Sequence, residues 1–562
     1  MIDRRAFLQL TIATSAMTGL SGLNLSKALA QQSIRQEDIL RFDAKGRLTI
    51  MNLTDIHAQI LPIYFREPSI NLGVGEVFGL PPHLTGKDYL EHYDIDERSP
   101  EAYALTASNF DALARSYGKV GGMDRIATLV KAIRTERGED NCLLLDGGDT
   151  WHGSYTALET RGKDMVDLMN VLHVDAMTGH WEFTLGEKRV LELIDHFNGA
   201  FLGQNVRDTL WDEPVFEAIS YYERAGTKIA VIGQAFPYTP IANPRWMIPE
   251  WSFGIRPNMV QERIDEARAA GSEVVVLLSH NGFDVDRKLA GMLDGLDILM
   301  TGHTHDAIVR PEIIGNTLMV ASGSNGKFLS RLDLDLRDGK IADYSYKLMP
   351  VLSDVITPDT QMAQKINDIR APYAEMLSEE LAVTDSLLYR RGNFNGTFDD
   401  LLCQGMMQER DTQIALSPGF RWGPSLLPGM AITMDDLYNQ TAMTYPAVYR
   451  LEFTGEQLKT IFEDVADNLF NKDPFYQQGG DMVRVGGMGY SIDVNAKIGT
   501  RISDMRLSDG TLIEANKVYS VAGWASVNEE TEGPAIYDLM ADYLRTQKTI
   551  TLEPNNSVKV KI

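Results

Sequence analysis

The chain has 562 residues, 44% of them hydrophobic, a length and composition that suit two or more globular domains with buried cores. Its formal net charge at pH 7 is −25, from 78 acidic and 53 basic side chains. A general nucleic-acid binder needs a basic surface to neutralise phosphates, so the charge argues against that class, and any anionic ligand must be met by local cations.

The first thirty residues predict an export signal rather than part of the fold. Two adjacent arginines, Arg4 and Arg5, precede a mildly apolar stretch, and residues 28–30 have the small-x-small form of a cleavage site. This segment resembles a twin-arginine signal peptide, which implies a periplasmic protein. The apolar stretch is shorter than a membrane span, and no later run reaches about 18 apolar residues, so we expect no membrane anchor in the mature form.

The two cysteines, Cys142 and Cys403, are predicted to be small core residues. Cys142 lies in a strand-like run and Cys403 in a helical one, and neither has a neighbour that would stabilise a thiolate. The sequence alone leaves open whether they pair.

Residues 40–355 predict a layered α/β domain. Seven short strand-like runs alternate with helical patterns between residues 47 and 350, and the segments 121–137 and 257–271 have the i, i+3, i+4 apolar spacing of amphipathic helices. Residues 60–117 lack a clear period and are rich in proline and glycine. This segment is too long for an ordinary loop, so we expect it to have its own role over a site.

A polar helix with a proline at its start is predicted within residues 356–380, as a linker between domains. Residues 381–562 again alternate strand-like and helical runs, which predicts a second, smaller α/β or α+β domain. The sequence shows no internal repeat and no low-complexity tract.

Several of the strand-like runs end in residues that commonly bind metals. They are Asp55, His57, Asp149, His180, His280, His303 and His305. Because the carboxyl ends of neighbouring strands meet at one edge of an open α/β sheet, we expect these side chains to build one site. Carboxylates and imidazoles suit Mn, Fe or Zn, and two ions that share a carboxylate can activate water and stabilise charge on the group under attack. The histidines that lack such placement are His83, His92, His173 and His196.

The order of these motifs is D-x-H, G-G-D, a G-N-H-E-like element, a lone histidine and G-H-x-H. It resembles the metallophosphoesterases, and specifically the 5′-nucleotidase family with its C-terminal substrate-binding domain. The resemblance covers nearly all of the chain after the signal segment and implies a layered α/β/β/α first domain. By the family's pattern, one metal ion is held by Asp55, His57, Asp149 and His305, and the other by Asp149, His180, His280 and His303, with Asp149 as the bridge.

The third of these elements departs from the nucleotidase pattern. There it reads G-N-H-E-F-D, with a ligand Asn and a catalytic His–Asp pair, whereas this sequence has His180, Trp181 and Thr184 at those positions. Neither Trp nor Thr acts as a general acid or base near neutral pH, so we expect weak phosphomonoesterase activity. Trp181 either lines the wall of a site for a peptide-borne substrate or packs on the top of the sheet.

The same departure is a feature of the SoxB branch of this family, the thiosulfohydrolases of sulfur oxidation. The stretches GHWEF, LPIYFREPSINLGVG, PPHLTG and YGKVGGMDR, together with the twin-arginine start, resemble that branch. The resemblance implies a periplasmic enzyme with two Mn²⁺ ions, with Zn or Fe as alternatives. It further implies release of sulfate from a thiosulfonated cysteine on the SoxYZ carrier protein. We expect a monomer.

The second domain is expected to supply the cations that bind the sulfonate. The nucleotidases use an arginine of a G-G-x-R element, and Arg421 stands at the matching position, while Asn395 matches a polar residue of the family. Arg390 and Arg391 are nearby candidates, because paired guanidinium donors suit oxyanions, although such arginines also form surface ion pairs. Tyr445 belongs either to a pocket or to the core.

Three functions fit these observations. The preferred one is hydrolysis of a protein-bound thiosulfonate, with Asp149, Trp181 and Arg421 as the predicted catalytic residues. The alternative is a periplasmic 5′-nucleotidase that salvages nucleosides. A non-catalytic metal-binding partner protein would need no paired-metal site and is the weakest of the three.

Overall fold

The computed structural model describes residues 34–553 and 555–562. The twin-arginine segment and its predicted cleavage site lie outside the described residues. Within the described part of the chain, no helix has the length and apolar character needed to cross a membrane.

The first part of the chain alternates strands and helices. Its strands are β1 (Leu48–Leu53), β2 (Cys142–Asp146), β3 (Ala176–Met177), β4 (Ala200–Phe201), β5 (Arg207–Asp208), β6 (Ile219–Arg224), β7 (Thr227–Gln234), β8 (Trp251–Ser252), β9 (Val274–Ser279), β10 (Ile298–Thr301), β11 (Glu312–Ile314), β12 (Thr317–Ala321), β13 (Phe328–Arg337) and β14 (Lys340–Pro350). Its helices are α1 (Gln36–Leu40), α2 (Gly86–Tyr93), α3 (Pro100–Leu105), α4 (Phe110–Tyr117), α5 (Met123–Arg137), α6 (Tyr155–Thr160), α7 (Lys163–Leu172), α8 (Glu187–His196), α9 (Thr239–Ala242), α10 (Pro257–Ala269) and α11 (Phe283–Ala290).

Two six-stranded sheets of described residues pack face to face. Their strand orders are β14-β13-β1-β2-β3-β4 and β11-β12-β10-β9-β7-β6. The central strands, β1 to β4 in one sheet and β7, β9, β10 and β12 in the other, run parallel. Apolar side chains of both sheets, such as Ile50 and Val276, fill the space between them.

Helices cover the outer faces of both sheets. Apolar residues of α5 and α7 pack on the first sheet, and those of α10 and α11 pack on the second. Strand β9, Val274–Ser279, is buried throughout, as expected for a parallel strand that is covered on both faces. The predicted α/β/β/α layering is confirmed.

The segment 60–117 contains three short helices, α2 to α4, that the sequence did not predict. Each is only six to eight residues long, so its apolar spacing, such as Phe110, Leu113 and Ala114 in α4, spans at most about two turns. Local signals were nevertheless present, since Ser99 caps α3 and Pro100 occupies its first turn. The segment touches the second domain, where the Leu72 N–H donates to Asn393 Oδ1 at 2.6 Å.

The second part of the chain forms a smaller domain of mixed sheets and helices. Its strands are β15 (Glu380–Thr384), β16 (Ile414–Gly419), β17 (Ala431–Thr433), β18 (Val448–Thr454), β19 (Asp481–Gly486), β20 (Met488–Asp493), β21 (Ile502–Leu507), β22 (Val518–Trp524), β23 (Thr549–Ile550) and β24 (Val558–Lys561). The helices are α12 (Thr360–Arg370), α13 (Ala374–Leu377), α14 (Thr397–Arg410), α15 (Met434–Thr441), α16 (Gly455–Phe470) and α17 (Ile536–Gln547). The largest sheet here has the order β18-β22-β16-β19.

Helix α12 lies within the predicted linker. It begins after Asp359, whose side chain accepts the Met362 N–H, and it packs on α5 and α7 of the first domain. The exact domain boundaries stay a prediction. Cys142 in β2 and Cys403 in α14 are both buried and unpaired, as expected for core residues.

Candidate metal centre between the two domains

The seven predicted metal ligands lie in loops that follow the carboxyl ends of parallel strands. The first sheet supplies Asp55 and His57 after β1, Asp149 after β2 and His180 after β3; the second supplies His280 after β9 and His303 and His305 after β10. Both sheets therefore deliver ligands to the same end of the sandwich.

These side chains form two groups that share Asp149. One group is Asp149, His180, His280 and His303, and the other is Asp55, His57, Asp149 and His305. Within each group, one candidate ligand atom per residue lies within 4.8 Å of the others. Asp149 Oδ2 is 3.0 Å from His280 Nε2 and 3.2 Å from His180 Nδ1. The two groups are those that the family pattern implies.

The backbone is strained at most of these ligands. The φ angles of Asp55, His57, Asp149, His303 and His305 are 52°, 50°, 59°, 75° and 60°. Positive φ is uncommon for residues other than glycine, and such strain concentrates at functional sites. We infer that the loops are shaped for their side chains to converge.

The donor atoms fit metal ions. His57 Nε2 lies 3.8 Å from Asp149 Oδ2, and His305 Nε2 lies 3.3 Å from Asp55 Oδ1. The two Nε2 atoms are 3.0 Å apart, and a cation between these nitrogens and carboxylates would be a ligand for all of them. His303 has a buried Nδ1 without a hydrogen-bond partner, an atom that a cation would satisfy. His280 instead donates from Nδ1 to the Gly147 carbonyl at 2.6 Å, which leaves its Nε2 directed at Asp149.

Burial and charge prepare most of these imidazoles for metal binding. Burial lowers the pKa of His57 to about 3 and also lowers the pKa values of His180, His303 and His305, so these rings are neutral, the form that binds metals. Burial acts in the same direction on His280, but the carboxylates of Asp149 and Asp55 outweigh it and raise the pKa of His280 to about 10.

Glu182 joins the two loops that carry Asp149 and His180. Its buried carboxylate accepts the backbone N–H groups of Thr150 at 2.7 Å and His180 at 2.8 Å, and more distantly those of Trp151 and Asp149. A carboxylate with four N–H donors fixes both loops at once. No role for Glu182 is predicted from the sequence, although the residue stands inside the GHWEF element.

A cavity of about 310 Å³ opens onto the ligands and is lined by both domains. Trp181, Phe420 and Trp422 form an aromatic wall of this cavity. Trp181 is stacked between His152 and Tyr445, with ring centroids 5.0 and 6.3 Å apart, and meets Trp422 edge-on at 5.1 Å. Trp181 therefore both lines the cavity and packs against its neighbours.

Comparison with a solved structure identifies the family. The sulfate thiohydrolase SoxB of Thermus thermophilus, solved in complex with glycerol, is 36% identical to this chain, with a TM-score of 0.88. The match covers 92% of this chain and 98% of that one. The chain belongs to the SoxB family. It is thus a hydrolase of the metallophosphoesterase superfamily.

The wider relatives of this SoxB-family protein include nucleotidases. Residues 381–538 match the family model "5′-nucleotidase, C-terminal domain". A 5′-nucleotidase precursor from Thermus thermophilus shares the fold, with a TM-score of 0.71 at 20% identity over 91% of this chain and 99% of that one. The rat 5′-nucleotidase is 23% identical over 72% of this chain and 76% of its own length.

The predicted substrate residues of the second domain fall in different places. Arg421 lines the cavity, where it contacts Asp481 at 3.2 Å and donates to the Thr304 carbonyl at 2.8 Å. Arg391 is buried beside the loop that contains Thr304. Arg390 lies behind Phe420 and forms a buried ion pair with Asp399 at 2.9 Å.

Two more of the predicted substrate residues lie away from the cavity lining. Asn395 donates its side-chain N–H to the Asn555 carbonyl, outside the lining. Tyr445 is buried behind Trp181. The substrate-binding roles of these residues stay predictions.

Several residues at the SoxB-family site were missed from the sequence. Phe420 and Trp422 flank Arg421 in GFRWG, and this alternation of aromatic side chains around the arginine was the available signal. Phe236 packs on His180 and His303, with ring centroids 4.0 and 4.1 Å apart, but nothing in its local sequence marks it.

Proposed function

We propose that this protein releases sulfate from a cysteine S-thiosulfonate on a SoxYZ-type carrier. The observation that carries the proposal is the pair Trp181 and Thr184, which stand where the nucleotidases have a catalytic His and Asp. The Thr184 hydroxyl donates to the Trp181 carbonyl at 2.7 Å, and the Trp181 ring forms part of the cavity wall. Neither side chain supplies a proton to a leaving group.

The chemistry of the proposed substrate suits this arrangement. In R–S–S–SO₃⁻ + H₂O → R–S–S⁻ + SO₄²⁻ + 2H⁺, a water oxygen bonds to the sulfonate sulfur while the terminal S–S bond breaks. The leaving electron pair stays on a sulfur, and because a thiol, with a pKa of about 8.5, is far more acidic than an alcohol, a sulfur anion departs without prior protonation far more readily than an alkoxide does. An alkoxide leaving group needs a proton as it departs, so a phosphomonoester requires the general acid that is absent from these positions.

We further propose that Asp55, His57, Asp149, His180, His280, His303 and His305 hold two Mn²⁺ ions. Their mixed oxygen and nitrogen donors suit Mn, with Zn or Fe as alternatives. When bound, such a pair lowers the pKa of a water molecule and stabilises charge on the attacked group. Asp149 belongs to both ligand groups. Arg421 is positioned on the cavity wall to attract the anionic sulfonate.

The cavity supports a substrate carried on a protein arm. Its aromatic wall, Trp181, Phe420 and Trp422, excludes water from one side of the centre. Phe420 and Trp422 stack on each other at 4.2 Å, and Trp422 stacks on the metal ligand His57 at 5.2 Å, so the wall reaches down to the proposed metals. An extended peptide with a cysteine at its end could place the sulfonate there.

The alternative, a periplasmic 5′-nucleotidase, is favoured by the match of the second domain to the nucleotidase model. One assay separates the two functions. The purified protein, loaded with Mn²⁺, is offered AMP and a thiosulfonated SoxYZ carrier in parallel, and phosphate and sulfate are measured. We expect sulfate from the carrier and little phosphate. Efficient phosphate release with no sulfate would establish the nucleotidase.

We propose export to the periplasm by the twin-arginine route, on the basis of Arg4 and Arg5. The double substitution of both arginines by lysine is expected to leave the precursor in the cytoplasm. Cell fractionation with antibody detection measures this, and undiminished export would contradict the route. The proposed partner is the carrier alone, and we expect the protein to act as a monomer.

A further inference from the structure

We infer that Arg391 is a positioning residue, which holds the loop of His303, Thr304 and His305 in the geometry that metal binding requires. We call this segment the 303–305 loop. It supplies one ligand to each metal group, His303 to one and His305 to the other. The inference rests on the two-metal part of the proposed function and does not depend on the sulfur substrate.

Two arginines of the second domain converge on the carbonyl at the centre of the 303–305 loop. Arg391 Nη2 donates to the Thr304 oxygen at 3.1 Å, and Arg421 Nη1 donates to the same oxygen at 2.8 Å. A carbonyl oxygen has two lone pairs, so these two bonds complete its capacity. The Thr304 peptide is thereby fixed between the two histidine ligands.

A third contact from the second domain fixes His303 itself. The His303 Nε2–H donates to the Gln478 carbonyl at 2.8 Å, and its buried Nδ1 has no hydrogen-bond partner. This bond selects the tautomer in which Nδ1 is free to bind a metal. Gly479 has φ of +72°, and a Cβ atom there would lie 2.4 Å from His303 Nε2, so only glycine allows this approach.

The 303–305 loop needs such support because its backbone is strained. His303 and His305 have φ angles of 75° and 60°, and strained residues persist only where the surroundings determine them. The supporting groups come from three separate stretches of the second domain, around Arg391, Arg421 and Gln478. The second domain therefore contributes to the metal centre without supplying a ligand.

The surroundings of Arg391 favour this role over a simple structural ion pair. Its side chain is 3% exposed, and among the described residues no ion pair within 4.0 Å joins it to a carboxylate, although the charges of Asp306 and Asp481 act on it at longer range. The neighbouring Arg390, 1% exposed, instead pairs with Asp399 at 2.9 Å. A buried guanidinium without a close carboxylate partner is costly, and the hydrogen bonds that Arg391 does make are to carbonyl oxygens of the 303–305 loop.

The two adjacent arginines give a matched experiment. Arg391→Lys and Arg391→Met are compared with Arg390→Lys, using isothermal titration with Mn²⁺ and the EPR signal of the bound ions. We expect both Arg391 variants to lose affinity for both ions by about 10- to 100-fold, the usual effect of removing a group that orients ligands. Arg390→Lys should lower the melting temperature but keep the Mn²⁺ affinity. If Arg391→Met fails to fold, Arg391→Lys carries the same test.

A second variant distinguishes the two metal groups. Gly479→Ala pushes against His303 and not His305, so we expect it to weaken one of the two ions and leave the other. Arg391 variants that bind two Mn²⁺ ions with wild-type affinity, and only raise the KM for the carrier, would overturn the inference and assign Arg391 to substrate binding. Fewer than two ions in the wild type would instead overturn the metal centre on which the inference rests.

Discussion

The backbone N–H of Trp181 donates a 2.8 Å hydrogen bond to Oδ1 of Asp149, the ligand that the two metal groups share. The Trp181 ring points elsewhere and packs among His152, Trp422 and Tyr445. One residue thus has two separable roles, because its main chain orients the bridging carboxylate while its side chain builds the cavity wall.

This separation predicts the behaviour of Trp181→Ala. The variant keeps the backbone bond and should retain two metal ions, measured by elemental analysis. Removing a buried indole should lower the free energy of unfolding by about 3–5 kcal/mol. Sulfate release from the carrier should fall by about 10- to 100-fold, because a substrate without its wall is misplaced. Trp181→Phe, which keeps an aromatic ring, should retain more activity than Trp181→Ala. Loss of both metals in Trp181→Ala would contradict the separation.

The shared carboxylate can be tested against a neighbour of the same type. Asp149→Asn should lower the occupancy of both metal sites, because Asp149 belongs to both groups. Asp146→Asn is the matched control, since burial raises the pKa of Asp146 to about 8 and the carboxyl is mostly protonated at pH 7. We expect the control to bind two ions. Elemental analysis after reconstitution with excess Mn²⁺ measures the metal content of both variants. Full occupancy in Asp149→Asn would show that Asp149 does not bridge the two metal sites.

The ligand set could be predicted from sequence because each ligand lies within four residues of the carboxyl end of an apolar strand. A parallel strand buried on both faces is a recognisable run, and its carboxyl end fixes where the next side chain lies. The walls of the cavity could not be found this way. Phe236 and the Phe420–Trp422 pair meet the centre only through tertiary packing between distant parts of the chain.

The arginines show a second limit of the sequence. Arg390 and Arg391 are adjacent and identical in type, yet one pairs with Asp399 and the other reaches the Thr304 carbonyl of the first domain. Their different surroundings depend on how the two domains pack, which local sequence does not encode. Helices α2 to α4 show a related limit, because an apolar face such as Phe110, Leu113 and Ala114 in α4 extends over only one or two turns, too few for a helix that is stable without tertiary contacts.

Metal binding should depend on pH through His280. Asp149 and Asp55 raise the pKa of His280 to about 10 against the effect of burial, so its ring carries a proton at neutral pH until a metal displaces it. Affinity for Mn²⁺ should therefore increase as the pH rises from 6 to 8, and binding should release protons. Titration calorimetry in buffers of different ionisation enthalpy counts those protons. An affinity independent of pH over this range would contradict the assignment.

A His–Asp pair can be built at the two positions where the nucleotidases have one. Trp181 and Thr184 lie in one short 3₁₀ helix, Trp181–Leu185, in which side chains three residues apart lie on the same side. The double variant Trp181→His and Thr184→Asp should therefore place a His beside an Asp, while the backbone bond to Asp149 remains. General acid assistance is typically worth about 10²- to 10⁴-fold in rate, so phosphomonoesterase activity on a small activated ester should rise within that range. Sulfate release from the carrier should fall, because the indole wall is gone.

Trp181→His alone, without its orienting Asp, is the control and should gain less phosphomonoesterase activity. Wild-type turnover of AMP that matches turnover of the thiosulfonated carrier would show that no such pair is needed, and the nucleotidase function would then be preferred.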